Sequence, residues 1–166
     1  MARDRSVRLP FSRRVVNAAG STLLEAAIIT PLLLLLTFSI VDFASMFYVY
    51  LALENGVSQA TRFAVTGNVV DDPNNPGSSL SRDDSIKATM RNATPTLTLD
   101  DSAFSFAHMP IGGSSWAAGS GGPGEIQKVT VNYTWKFFDP VLGAFFTGGQ
   151  IALTVDSAMK NESRFQ

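Results

Sequence analysis

Ser21 and Glu25 are the residues whose types and spacing hold the most chemistry, because a lone carboxylate stands four positions after a hydroxyl at the mouth of an apolar run. At helical spacing the two share one face. A carboxylate beside hydrocarbon is costly unless it finds a positive partner, so Glu25 asks for a cation nearby. Upstream stands a basic leader, Met1 to Gly20, with Arg3, Arg5, Arg8, Arg13 and Arg14 against Asp4 alone. That leader holds five of the chain's 13 basic residues and one of its 14 acidic ones, so the remainder is net acidic. A body of that sign is no partner for nucleic acid.

The other reactive side chains make weaker patterns. Cysteine is absent, which removes thiolate metal sites, disulfides and thiol nucleophiles. His108 is the sole histidine, and no serine or acid pair stands in a catalytic setting. Asp71-Asp72, Asp83-Asp84 and Asp100-Asp101 lack calcium-loop spacing and are expected to be solvated acids. Asn92, Asn132 and Asn161 each precede Ser or Thr by two residues, a glycan-acceptor spacing that chance is enough to explain. The stretch from Pro110 to Gly124 is glycine-rich, is expected to form no regular element, and lacks the strand and helix that a phosphate loop needs, so it reads as a mobile connection. No catalytic, cofactor or metal site is therefore expected, and the chain is not expected to be an enzyme.

The element that positions Ser21 and Glu25 is a long helix. Ala26 to Val41 carries no charge and spans about 24 Å as helix, or about 28 Å from Leu23, close to a bilayer's hydrocarbon thickness. The basic leader places the N-terminus in the cytoplasm and the bulk of the chain outside it. A secretory signal peptide would have a shorter apolar core ending in small residues, whereas this run ends in Val41, Asp42 and Phe43. Pro31 removes one backbone bond and should bend the axis, with Thr30, Thr37 and Ser39 able to bond back to carbonyls. Past Asp42 the apolar positions Met46, Tyr50, Leu53, Val57, Ala60 and Ala64 step by four and three, opposite the polar row Glu54, Ser58 and Arg62. This predicts an amphipathic stem ending at Gly67.

Something must cover that stripe. Residues 67–81 are turn-forming, and Ser81 caps a predicted short helix to Ala93 with Ile86 and Met90 facing inward. Ala103 to Met109 alternates weakly. Lys128 to Phe137 alternates fully, with Val129, Val131, Tyr133, Trp135 and Phe137 on one face. Pro140 and Gly143 break that strand, and Phe145-Phe146 is expected to cap the core. Ile151, Leu153 and Val155 mark a last strand, and Trp116 is expected to plug the core. The fold class is α+β, a long N-terminal transmembrane and amphipathic helix on a small antiparallel sheet. The organisation is a leader (1–20), a transmembrane helix (21–42), a stem (43–67) and an extracytoplasmic α+β domain (68–166).

These residues carry a resemblance. Ala18-Ala19-Gly20-Ser21 followed by Glu25 resembles the class III signal of type IV pilin-like proteins. Leu24-Glu25-Ala26-Ala27, Thr30-Pro31-Leu32-Leu33-Leu34, Ile40-Val41-Asp42-Phe43, Gln59 to Ala64 and the closing Ser157 to Glu162 resemble the TadE-like minor pseudopilins of the tight-adherence (Flp pilus) machinery. The resemblance implies cutting after Gly20 by prepilin peptidase, on the cytoplasmic side of the helix. It gives Ser21 a new amine to pair with Glu25 of its own or a neighbouring chain, and it marks Glu25 and Asp42 for helix charge pairing and assembly, with Pro31 as the kink. It implies an inner-membrane protein partnered by other pilin or pseudopilin subunits and the pilus assembly platform, and a role in assembling or initiating the pilus. The chain departs from the family in Asp42, where glutamate is commoner, and from the major Flp pilin in Ala26, where that subunit has tyrosine. Neither separates TadE from TadF. Two other readings stay open: an uncut, signal-anchored periplasmic binding module, and an anchored enzyme that borrows acids from partners.

Overall fold

The computed structural model describes residues 18–165; the arginines of the leader lie outside them. The chain runs as helix α1 (Ala18–Val65), helix α2 (Arg82–Ala93), strands β1 (Phe104–Met109), β2 (Ala117–Ala118) and β3 (Ile126–Lys136), a short helix α3 (Pro140–Gly143) and strand β4 (Gln150–Lys160). The strands form one antiparallel sheet in the order β2-β1-β3-β4. This is the α+β, pilin-like arrangement expected from the sequence.

Helix α1 is 48 residues long, about 72 Å, and continues unbroken through Pro31. Thr37 and Ser39 return their hydroxyls to the carbonyls of Leu33 and Leu35, each at 2.8 Å. Its two halves differ in what surrounds them. Below Asp42 the apolar side chains are mostly exposed, only those nearest Asp42 approaching the rest of the chain, and the helix is long and apolar enough to cross a membrane. Above Asp42 the predicted stripe is covered, with Leu53, Val57, Ala60 and Ala64 fully buried. The cover comes from the inner face of the sheet, where Val129, Val131, Leu153 and Val155 are buried and Val131 pairs with Val155.

Strand β3 lies along the stem. It spans about 33 Å from Ile126 to Lys136, which matches the roughly 35 Å of helix between Asp42 and Val65. At one end Glu162 donates its amide to the Val65 carbonyl at 2.9 Å, and at the other the residues after β3 meet Asp42. On its remaining side the stem receives α2, capped by Ser81 accepting from the Asp84 amide. Gly56 allows that approach, since a Cβ there would fall 2.7 Å from both Met90 Sδ and Thr94 Cγ2.

Three expectations need correction. Trp116 is not a core plug: it is 43% exposed, with Lys128 Nζ over its ring at 4.6 Å. The glycine-rich stretch is not wholly irregular, because Ala117 and Ala118 pair with His108 and Ala107 as β2. Of the two phenylalanines expected to cap the core, Phe146 stacks on Phe137 at 4.5 Å while Phe145 faces outward.

Candidate functional site

Ser21 and Glu25 sit near the start of α1 and meet on one face, where Ser21 Oγ donates to Glu25 Oε1 at 3.2 Å. Both are exposed, and Gly20 before them borders open space, with no heavy atom within 4 Å of where a Cβ would stand. The backbone nitrogen of Ser21 belongs to the same turn as the carboxylate, so an α-amine created there would stand beside an opposite charge. Amines of that kind are largely protonated at neutral pH. A positive group at a helix start opposes the macrodipole, and an acid in the adjoining turn offsets it.

Asp42 is placed differently. It is 1% exposed, and its Oδ2 accepts the Phe138 and Asp139 amides at 2.9 and 3.0 Å. The second oxygen, Oδ1, is buried and has no hydrogen-bond partner among the described residues. A cleft of about 360 Å³ opens beside it, lined by Phe38, Val41, Phe138, Asp139 and Pro140. The structure thus gives Asp42 a partner within its own chain, at the junction between the bare and covered halves of the helix. Ser21 and Glu25 are 17 residues or more from it along α1, so the three residues form two sites, not one.

The remaining candidates have local roles. His108 Nδ1 lies 3.1 Å from the Gly119 carbonyl and Nε2 lies 3.8 Å from Glu125. Asp72 accepts from the Asn74 amide, Asp83 from Ser120, and Asp101 pairs with Arg91 at 2.5 Å. No group of three metal-type ligands occurs among the described residues. Asn161 is buried and donates to the Gly122 carbonyl at 2.8 Å, and Asn132 accepts from Thr154, so neither amide is idle.

One cluster was missed in the sequence. Arg82 donates from Nη2 to the Ala64 carbonyl at 2.9 Å and to Gln127 Oε1 at 2.7 Å, from Nη1 to the Gly121 carbonyl, and stacks over Phe165 at 4.3 Å. It ties the C-terminal end of α1, where carbonyls want a cation, to α2, the sheet and the chain's last residues. Burial pushes its guanidinium down from its ordinary value, although an arginine stays charged throughout the working range. Nothing in the spacing of Arg82 foretold these contacts, because each partner is 18 residues or more away.

Comparison with known proteins gives one positive result. Residues 20–62 match the family model described as TadE-like protein, which bears out the resemblance over the helix that holds Gly20, Ser21, Glu25, Pro31 and Asp42. No curated protein and no solved structure matches the chain.

Proposed function

We propose that this chain, TadE-like over residues 20–62, is a minor, pilin-like structural subunit of a tight-adherence pilus system, cut after Gly20 by prepilin peptidase and acting in pilus assembly or initiation. The carrying observation is one continuous helix with two environments: a bare apolar half headed by Ser21 and Glu25 on a shared face, and a half covered by the sheet. The bare half offers side chains such as Leu32, Leu36 and Ile40 to lipid or to another apolar helix. Cutting places a positive amine one turn from Glu25, which lowers the cost of holding that carboxylate near hydrocarbon. The pair then becomes a docking feature that a neighbouring subunit's helix can satisfy or share. The basic leader supports an inner-membrane position with the sheet on the periplasmic side. The role is structural rather than catalytic, since assembly needs surfaces and a charge pair, not a reacting centre.

The test is complementation of cells that lack the chain. Wild type should restore surface fibres. Glu25→Ala should accumulate in the membrane as a folded protein and restore none. Full restoration by Glu25→Ala would remove the assembly role of the acid and favour an uncut, anchored binding module.

A further inference from the structure

Three side chains at the turn after β3 face outward: Phe138 at 76% exposure with its ring edge-on to Trp135 at 5.4 Å, Phe145 at 81% and Val141 at about half. Their place on the molecule supplies a medium for them. Asp42 holds the Phe138 and Asp139 amides against α1, and the cleft beneath reaches Phe38, one helical turn and about 6 Å below Asp42. Phe38 belongs to the uncharged run that would lie in hydrocarbon. The turn therefore reaches down alongside the span rather than standing clear of it.

The backbone amides of this turn are also met within the chain. Asp42 takes the amides of residues 138 and 139, Pro140 has none, and Asp139 Oδ1 takes those of Val141 and Leu142. The amides of Gly143, Ala144, Phe145 and Phe146 go to carbonyls of Asp139, Pro140, Leu142 and Gly143. Every N–H from Phe138 to Phe146 is thus met within the chain. The turn can therefore enter the apolar side of a bilayer boundary without carrying an unmet N–H into it. In the adjoining groove stands Tyr48, exposed and of a ring type that settles at headgroup level, while Trp135 closes the groove from the core side.

The geometry points to the Phe138–Phe146 turn as a second membrane contact, an interfacial foot that lies in the bilayer boundary where α1 leaves it, with Phe138, Val141 and Phe145 entering lipid. This rests on the proposed membrane span of α1. The foot would fix the tilt and height of the sheet relative to the membrane, because β3 is tied to it at one end and lies along the stem.

The full chain has no cysteine, so single cysteines report cleanly. Leu33→Cys, Val141→Cys, Phe145→Cys and Ile111→Cys would each carry an environment-sensitive fluorophore in vesicles of phosphatidylethanolamine and phosphatidylglycerol, with and without nitroxide-bearing lipid. Ile111 is the matched control, 77% exposed and apolar but at the opposite end of β3, two residues after Met109, which pairs with Ile126. Labels at 33, 141 and 145 should shift to blue and be quenched several-fold more than the label at 111. A label at 145 as wet as that at 111, with 33 quenched, overturns the foot and leaves the span standing. A label at 145 that is shielded but unquenched assigns the turn to protein contact and overturns it too. Water at 33 as well removes the span and the foot together.

Discussion

Asp42 and Phe138 are 96 residues apart in sequence, and the Phe138 amide donates to the Asp42 carboxylate at 2.9 Å. With the neighbouring bond from Asp139, this ties the foot of the sheet to the helix where its apolar run ends. Removing the acceptor leaves two amides unmet. Asp42→Ala should lower the unfolding free energy of the full chain in detergent by about 2–4 kcal/mol, while Asp42→Asn, which keeps one acceptor oxygen, should lose less than half as much. Chemical denaturation separates the two, and equal losses would show that the accepting oxygen is not what matters.

Gly20 offers a cleaner separation of folding from processing. A methyl group there meets nothing within 4 Å, and alanine favours helix over glycine by up to about 1 kcal/mol. Gly20→Ala should therefore leave the melting curve of the ectodomain unchanged. On the proposed reading, in which the cut is made at that residue, it should nonetheless yield an uncut precursor on mass analysis.

Arg82→Ala removes three carbonyl or amide acceptor contacts at once and leaves Gln127 Oε1 without its donor. The expected loss is about 2–4 kcal/mol, the range for charged hydrogen bonds whose partners stay buried. Arg82→Lys should recover only part of it, since an ammonium cannot reach all three acceptors in a planar fork. Full recovery by lysine would mean that charge alone is needed at the end of α1.

Acid should weaken the α2 region in a defined window. Hydrogen bonds from Arg91 and the charge of Lys87 hold the Asp101 carboxyl below the ordinary carboxylate range, and Ser81 and Lys87 do the same for Asp84. Folded values below the unfolded ones mean that this stabilisation is complete above about pH 4. It is lost as pH falls through the depressed values. Both groups are exposed, so the effect is small and salt-screened. Melting temperatures of wild type and Arg91→Ala should differ at pH 6 and converge at the lowest pH that still permits folding. A gap that stays constant with pH would assign Arg91 to packing over Phe104 and its bond to the Leu99 carbonyl instead.

What the sequence disclosed follows from which interactions are periodic. The stem stripe from Met46 to Ala64 and the alternation of β3 and β4 each repeat along one element, so spacing alone located them and their burial agrees. Ser21 and Glu25 were equally legible, because their contact is one helical turn. The partners of Asp42 and Arg82 were not, since those contacts cross the fold and depend on where α3 and the Gly121 loop come to rest. Trp116 misled for the same reason: an aromatic in a polar stretch has no period, and its neighbour Lys128 is on β3, distant in sequence.

The central claim is that proteolysis after Gly20 creates the amine that partners Glu25. The direct measurement is the N-terminal sequence and intact mass of the protein recovered from membranes of cells with and without prepilin peptidase. The account predicts a chain beginning at Ser21 in the first and at Met1 in the second. A chain beginning at Met1 in both would contradict it.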